Sequence, residues 1–314
     1  MVGNVFVVVG AGSIGKRHAD NLRQLGQSVE LIPYREFSEA ALAGRRDIAG
    51  MVIATATPIR LDLIRFCAAQ GWPFYAEKPL AWTRAQVAAI FDAAAPVAAR
   101  SMVGFMMRYH PVVAALAQRD LSDVYDVAFQ IGHDVRQWRA NWSFPDSYAA
   151  KPEGGGVLLD LCHEIDMAHC LFPQLSVAQV TSLDHADFPR VDFATRVSLT
   201  APGGPIGTVA MDYLSPVSQR NAVLSGTDTR IDVDLLTPAI RTRDGEADKT
   251  ETFNFTRNDM FLGIMADFVA LALGAPTTGN PLMPRFDRMR ESCDLIASAW
   301  EARSFAGQVA VDFA

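Results

Sequence analysis

The sequence predicts an α/β fold in two domains. The first is an N-terminal doubly wound parallel sheet over residues 1–120, and the second is a C-terminal α+β domain with an open, mostly antiparallel sheet over residues 121–314. Three observations predict this class. An apolar run leads directly into a glycine turn, strands and helices then alternate with short connections, and after residue 121 alternating strand patterns take over.

The first element is VFVVVG at 5–10, a continuous β-branched run typical of a parallel strand buried on both faces. It runs into GAGSIG, which fits G-x-G-x-x-G with Gly10, Gly12 and Gly15. Gly10 permits the tight turn, Gly12 lets the backbone approach a pyrophosphate, and Gly15 lets the next helix pack close to the strand. The pattern predicts a dinucleotide-binding Rossmann domain. A glycine turn used only for packing, or a methyltransferase with an adenosyl cofactor, are the alternatives for the motif itself.

The second strand, SVELIPY at 28–34, bears on the choice of cofactor. An NAD enzyme normally has an Asp or Glu at this strand's end, to bind the ribose 2′-hydroxyl. Here Tyr34 and Arg35 occupy the end, and Glu30 falls inside the strand, too early. A cation there would suit a 2′-phosphate, so we expect NADP rather than NAD, with Arg35 as its partner. The alternative for Arg35 is a solvated loop residue.

Three further strands are predicted in this domain, each followed by a turn or a helix: 48–55, 73–80 and 101–109. The helix after the fourth strand is expected to begin with Thr83 as its N-cap. Lys78, in Glu77-Lys78-Pro79, is placed at the C-terminal end of that strand, where ligands bind in such sheets. On its own it could equally be an exposed lysine in a turn. The predicted cofactor-binding residues are Gly10, Gly12, Ser13, Ile14, Gly15, Tyr34, Arg35, Thr55, Glu77 and Lys78.

In the second half, a strand pattern at 124–135 precedes a loop rich in aromatic and charged residues at 136–153. A helix is then predicted within 154–172, followed by strands at 191–200, 206–215, 222–226 and 230–236 and helices at about 259–273 and 285–303.

The segment GGGVLLDLCHEIDMAHCLF at 154–172 is dense in reactive residue types. HEIDM lacks the second His of H-E-x-x-H, and no His or Cys spacing matches a zinc site, so we expect no metal. Cys162 and Cys170 have apolar neighbours and are expected to be core residues.

A helical wheel of the same segment places Asp160 and His163 opposite an apolar stripe, with Asp166 beside His163. An Asp one turn from a His can orient the imidazole, whose ordinary pKa lies near working pH, so the wheel indicates a proton-transfer pair. A solvated polar face is the alternative. The three preceding glycines leave room for a ligand near the helix N-terminus.

Composition excludes several classes. A net charge of −7 argues against a nucleic-acid-binding protein. The sequence contains no run of 18 apolar residues, so we expect no membrane span. The start, MVGNVFVVVG, lacks the basic region of a signal peptide. Four scattered cysteines without a C-x-x-C motif are typical of a reducing compartment, so we expect a cytoplasmic protein.

Together these residues resemble the glucose–fructose oxidoreductase / inositol dehydrogenase / MocA family over essentially the whole chain. The resemblance rests on GAGSIGKRHA at 10–19, AEKPLA at 76–81, GFMMRYHP at 104–111 and GGGVLLDLCHEID at 154–166. It implies a nicotinamide-dependent oxidoreductase that transfers hydride to or from a carbohydrate-like alcohol or ketone, such as a sugar, sugar acid, cyclitol or nucleotide sugar. It also implies that Lys78 contacts the nicotinamide and the substrate hydroxyl, and that Asp160 and His163 lie at the reacting carbon.

The chain departs from the family pattern at two places. The usual D-x-x-x-H spacing is D-x-x-H here, from Asp160 to His163, which makes the role of Asp160 less secure. The family's T-P-x-x-x-H element ends in Asp62. Look-alikes with a similar aromatic loop are often linked to modified sugars, which makes Trp138, Trp142, Tyr148 and Lys151 candidate substrate contacts. Arg108, in GFMMRYHP, is a further candidate substrate contact.

The resemblance leaves two other functions open: a non-catalytic dinucleotide-binding sensor, and a glycosidase that uses transient NAD oxidation. It also implies a homo-oligomer, a dimer or tetramer, formed through the open face of the second sheet.

Overall fold

The computed structural model describes residues 4–137 and 143–312, so the predicted substrate contacts Trp138 and Trp142 lie outside the described residues. The chain divides into two compact units. The first unit is the chain up to His110 together with Thr256–Cys293, and the second is Pro111–Phe255 together with the chain from Asp294 onward.

The described strands are, in chain order, β1 (Val5–Val9), β2 (Ser28–Ile32), β3 (Ile48–Ile53), β4 (Phe74–Ala76), β5 (Met102–Val103), β6 (Val124–Gly132), β7 (Ser176–His185), β8 (Ala194–Thr200), β9 (Ile206–Asp212), β10 (Gln219–Gly226), β11 (Arg230–Asp234), β12 (Ala239–Arg243), β13 (Asp248–Thr252) and β14 (Arg303–Val309). The described α-helices are α1 (Ser13–Gln24), α2 (Glu39–Leu42), α3 (Arg60–Gln70), α4 (Arg84–Ala94), α5 (Pro111–Leu116), α6 (Val157–Asp160), α7 (His163–Leu171), α8 (Arg257–Leu273) and α9 (Arg290–Glu301).

The first unit contains a parallel sheet in the order β2-β1-β3-β4-β5. Every residue of β1 after Val5 is buried, as its apolar run predicts. Thr83 caps α4 as expected: its hydroxyl accepts a hydrogen bond from the Gln86 N–H, and the Gln86 side chain accepts one from the Thr83 N–H, each at 3.2 Å.

The fifth strand is shorter than predicted. The run 101–109 was expected to be extended throughout, but only Met102–Val103 pairs with β4, and Met106–Tyr109 forms a 3-10 turn. The chain leaves the sheet because the Phe105 N–H turns back to the Val103 carbonyl at 2.8 Å, and the Arg108 N–H then bonds to the Phe105 carbonyl.

Helix α8 belongs to the first unit, although the sequence analysis assigned every residue after 120 to the second domain. Ile264, Met265 and Phe268 lie in one buried cluster with side chains of the parallel sheet. The Phe268 ring meets Phe6 of β1 edge-on, with ring centroids 5.7 Å apart. This helix therefore supplies core to a sheet that it follows by more than 150 residues.

The second unit contains a mixed sheet in the order β13-β12-β11-β10-β6-β9-β8-β7-β14. Its neighbours are antiparallel except for β6 with β9 and β7 with β14. The α/β class, with a parallel sheet followed by a mostly antiparallel one, is thereby confirmed. The sequence analysis missed β12 and β13 because AIRTR and DKTET carry little apolar alternation. Of the helices described, none is long and apolar enough to cross a membrane.

The packing of α8 gives a direct test. Phe268→Ala removes a fully buried ring and should lower the free energy of unfolding by about 3–5 kcal/mol. Leu273→Ala, on the same helix but 39% exposed, is the matched control and should cost far less. Urea denaturation of both variants measures the difference. Equal losses would contradict the assignment of α8 to the core of the first unit.

Candidate functional site

The glycine turn of the first unit has two glycines that no other residue could replace without strain. Gly10 adopts a φ of +109°, and a Cβ there would collide with the carbonyl oxygen of Ala54. A Cβ on Gly15 would collide with the carbonyl of Gly10. These contacts draw the start of α1 against the ends of β1 and β3, as the motif predicts.

Gly12 differs, because a Cβ on it would meet nothing within 4 Å. It stands as the N-cap of α1 and has no side chain to cap the first N–H groups of the helix, which include those of Ser13 and Ile14. The positive end of the helix dipole and these free donors suit a phosphate. The space beside Gly12 is therefore open, and its surroundings suit an anion.

Thr55 lies just beyond β3, next to the turn. It is 9% exposed, and its hydroxyl has no hydrogen-bond partner within the described part of the chain. A buried hydroxyl without a partner is costly, and a bound polar ligand would satisfy it. Thr55 and the open space at Gly12 therefore fit a dinucleotide.

An open groove of about 830 Å³ lies beyond the end of β2. Its lining includes Tyr34 and Phe37, whose rings stack with centroids 6.4 Å apart, and Ile59 and Leu63. Charged side chains, among them Glu39 and Asp62, line the rest of the groove. Its aromatic and aliphatic part can hold a flat base.

Two charged residues, Glu30 and Arg35, bear on the predicted choice between NAD and NADP. The Arg35 side chain is 85% exposed and pairs with Glu36 at 3.2 Å. The Glu30 carboxylate is held by two hydrogen bonds from Arg45, each 2.8 Å. These hydrogen bonds lower the pKa of Glu30 below its ordinary value and leave its carboxylate engaged within β2. Arg35 is thus the cation that remains accessible at the strand end.

Glu77 is buried directly after β4 and accepts three hydrogen bonds. His18 Nε2 lies 2.7 Å from its carboxylate, the Tyr75 hydroxyl donates at 3.3 Å, and the Lys78 N–H donates at 3.2 Å. Burial pushes the pKa of Glu77 upward, but the His18 hydrogen bond and the nearby positive charges outweigh it and hold that pKa below its ordinary value. Glu77 is therefore a buried, ionised carboxylate within the unit. The next residue, Lys78, is half-buried, and the peptide bond between Lys78 and Pro79 is cis.

In the second unit, the prediction of one helix within 154–172 is wrong, because the segment does not form a single helix. It is two helices, α6 and α7, separated by a turn at Leu161, whose φ and ψ are −103° and 25°. Gly156, at a φ of +86°, packs against the Asp192 side chain, and Asp192 caps α6 by accepting the Val157 and Leu158 N–H groups at 2.8 Å. The glycines thus allow a close contact with Asp192 at the start of α6.

The expected polar face of this segment is buried, which rules out the solvated alternative. Asp160 is 8% exposed, His163 is 4% exposed, and both Glu164 and Asp166 are fully buried. Glu164 is paired with Arg220 at 2.6 Å. Ionisable groups that are buried and paired in this way are typical of functional sites and of structural networks alike.

Asp160 accepts hydrogen bonds from two tyrosines. The Tyr148 hydroxyl donates to one carboxylate oxygen at 2.7 Å, and the Tyr213 hydroxyl donates to the other at 3.1 Å. Burial, reinforced by the Asp160 charge, raises the pKa of Tyr213 far above its ordinary value, so this phenol keeps its proton. Burial also lowers the pKa of His133, whose ring lies 5.9 Å from that of Tyr213. Sequence reasoning missed Tyr213 and His133 because they end strands far from the 154–172 segment.

The remaining predicted substrate residues lie in different settings. Tyr148 is 54% exposed, Lys151 is exposed, and the two belong to the loop just before Gly154. Arg108, in the first unit, is 6% exposed and donates to the Ser292 hydroxyl at 3.0 Å and to the Leu282 carbonyl at 3.5 Å.

Comparisons with known proteins bear on the family and on the fold. Residues 109–232 match the family model described as the GFO/IDH/MocA C-terminal domain. Over these residues the chain is similar to the GFO/IDH/MocA family.

Two curated relatives carry the name trans-1,2-dihydrobenzene-1,2-diol dehydrogenase. The Xenopus tropicalis protein is 24% identical over 88% of this chain and 84% of its own length. The Xenopus laevis protein is 23% identical over 67% of this chain, and the matched segment spans only 63% of that relative.

Solved structures share the fold over nearly the whole chain. A levoglucosan dehydrogenase in complex with NADH has a TM-score of 0.75 at 18% identity, covering 96% of this chain and 98% of that one. A 3-ketoreductase variant from Actinomadura kijaniata, in complex with TDP-benzene and NADP, has a TM-score of 0.75 at 16% identity, covering 97% and 99%. The GFO/IDH/MocA resemblance expected from the sequence is confirmed, and these relatives are named dehydrogenases and reductases.

The glycine turn gives opposite predictions for two similar substitutions. Gly12→Ala should leave the free energy of unfolding within about 0.5 kcal/mol of the wild type, because its Cβ meets nothing. It should nevertheless weaken dinucleotide binding at least about tenfold by obstructing the approach of a phosphate. Gly10→Ala should instead destabilise the unit by more than about 1 kcal/mol, through its positive φ and the collision with Ala54.

Urea denaturation and dinucleotide titration by calorimetry separate the two effects. Undiminished binding by Gly12→Ala would contradict a pyrophosphate site at α1.

Proposed function

We propose that this protein is an NAD(P)-dependent oxidoreductase that transfers hydride between a nicotinamide cofactor and a sugar-like alcohol or ketone. The observation that carries the proposal is the edge of the parallel sheet in the first unit. There the open Gly12 position, the unpartnered Thr55 hydroxyl and the turn bearing Lys78 all follow the C-terminal ends of parallel strands. The names of the relatives support the same class of reaction.

The protein's own groups can perform the proton and charge steps. When bound, the nicotinamide supplies the hydride acceptor or donor. Lys78, placed after an ionised Glu77, stabilises the developing negative charge on the substrate oxygen. His163 takes the hydroxyl proton in oxidation and returns it in reduction. Asp160, held by hydrogen bonds from two phenols, stabilises the imidazolium that forms.

The substrate side is assigned to residues around Tyr148. Its exposed ring offers a face to a sugar ring, and Lys151 offers a donor to hydroxyl groups. The predicted contacts Arg108, Trp138 and Trp142, self-association into a dimer or tetramer, and a cytoplasmic location stay predictions.

The mechanism predicts that Lys78→Ala and His163→Asn each lower kcat by about 10²–10⁴-fold, the usual contribution of a general acid–base or charge-stabilising group. Lys249→Ala, a lysine 73% exposed in the second unit, is the control and should leave kcat unchanged. Turnover is followed by NAD(P)H absorbance with sugars, sugar acids, cyclitols and nucleotide sugars. Near-normal rates in both variants would refute the mechanism. Tight cofactor binding without turnover by the wild type would favour the sensor.

The cofactor preference is a separate proposal: NADP, with Arg35 on the 2′-phosphate. Arg35→Ala should weaken NADPH binding about tenfold and leave NADH binding within about twofold, as expected for the loss of one charge-assisted contact. Arg23→Ala, another exposed arginine paired with a neighbouring carboxylate, is the matched control. Thermal shift with NAD, NADH, NADP and NADPH reads the preference directly. Stabilisation by the NAD forms alone would overturn it.

A further inference from the structure

Arg60 is the first residue of α3, which is an unusual position for a buried cation. It is 4% exposed, and a positive charge in the first turn of a helix opposes the helix dipole. Removing a guanidinium from water is also costly unless its N–H groups find acceptors. Something in its surroundings must therefore repay both costs.

The acceptors are main-chain carbonyls from the ends of two neighbouring strands. Arg60 donates to the carbonyl of Thr55, just beyond β3, at 3.0 Å. It also donates to the carbonyls of Lys78, at 3.5 Å, and of Pro79, both just beyond β4. One planar guanidinium thus bonds the end of one strand to the turn that follows the next.

That turn carries Lys78, and the main chain on its N-terminal side is fixed by the buried Glu77 carboxylate, which accepts the Lys78 N–H. Arg60 fixes its C-terminal side through two consecutive carbonyls. The Lys78 side chain therefore starts from a backbone that is held on both sides. A fork of parallel donors can do this, whereas a lysine ammonium, a point charge, cannot reach all three acceptors in the same plane.

We propose that Arg60 is a positioning residue that aims Lys78 at the nicotinamide end of the bound cofactor. The inference rests on the proposed function, because it uses the contact assigned there to Lys78. Arg60 itself touches neither substrate nor cofactor in this proposal. Its effect on the nicotinamide end passes through the Lys78–Pro79 main chain.

The test compares ligands with and without the nicotinamide. Wild type, Arg60→Met, Lys78→Ala and the double variant are titrated by calorimetry with NADH, NADPH and ADP-ribose. Arg60→Met should weaken binding of the preferred reduced dinucleotide about tenfold, as for loss of a charged hydrogen-bonding group, with ADP-ribose within about twofold. The double variant should bind no more weakly than Lys78→Ala alone, because Arg60 acts through Lys78.

Two further variants serve as controls. Arg100→Met removes an exposed arginine of the first unit that also donates to a main-chain carbonyl, that of Gly71 at 2.9 Å, and it should change nothing. Arg60→Lys keeps the charge, and we expect a loss intermediate between the wild type and Arg60→Met. If Arg60→Met does not fold, Arg60→Lys is measured in its place, with the same expectation of a loss confined to the nicotinamide ligands.

The outcomes separate this inference from the proposed function. Suppose that Lys78→Ala weakens the binding of NADH and NADPH, as the proposed function expects. The positioning role alone is then overturned if the effects of Arg60→Met and Lys78→Ala on binding multiply in the double variant. It is also overturned if Arg60→Met weakens the binding of ADP-ribose as much as that of the dinucleotides. If the wild type binds no dinucleotide, or Lys78→Ala binds all three ligands normally, the proposed function fails at that point and the role of Arg60 falls with it.

Discussion

A buried carboxylate must be compensated, and in the first unit this requirement fixes the arrangement of the site. Glu77 is 8% exposed, and its compensation comes from His18 on α1, from Tyr75 on β4 and from the N–H of Lys78. Helix α1 begins at the glycine turn, so the same hydrogen bond from His18 that compensates Glu77 also connects this helix to the strand end that carries Lys78. The cofactor turn and the lysine are thereby placed by one electrostatic constraint.

The second unit solves a similar problem with Asp192. Its side chain is fully buried, is paired with Arg303, and accepts the Leu158 N–H and the Thr195 hydroxyl. Through the cap on α6 it fixes where that helix begins after Gly156, and so where Asp160 lies at its end. In each unit a buried carboxylate, satisfied by groups distant in sequence, holds a short segment of functional interest. Such networks are stabilising only when every member is satisfied, so they tolerate little change.

The sequence predicted those features that depend on local pattern. The buried run of β1, the strain-bearing Gly10 and the Thr83 cap follow from neighbouring residues, and the fold class was confirmed. Features that depend on contacts through space were missed or wrong. The membership of α8 in the first unit rests on Phe268 meeting Phe6, and Tyr213 reaches Asp160 from 53 residues away. Periodicity carries no information about such contacts.

The shorter D-x-x-H spacing illustrates the same limit. On one continuous helix, a change from four residues to three would rotate Asp160 by about 100° around the axis relative to His163. The structure has no continuous helix there: Asp160 ends α6, His163 begins α7, and the turn at Leu161 separates them. The direction of the Asp160 carboxylate is set instead by Tyr148 and Tyr213, which belong to other elements. The three-residue spacing therefore crosses a turn, and the rotation expected on one continuous helix does not apply to Asp160 and His163.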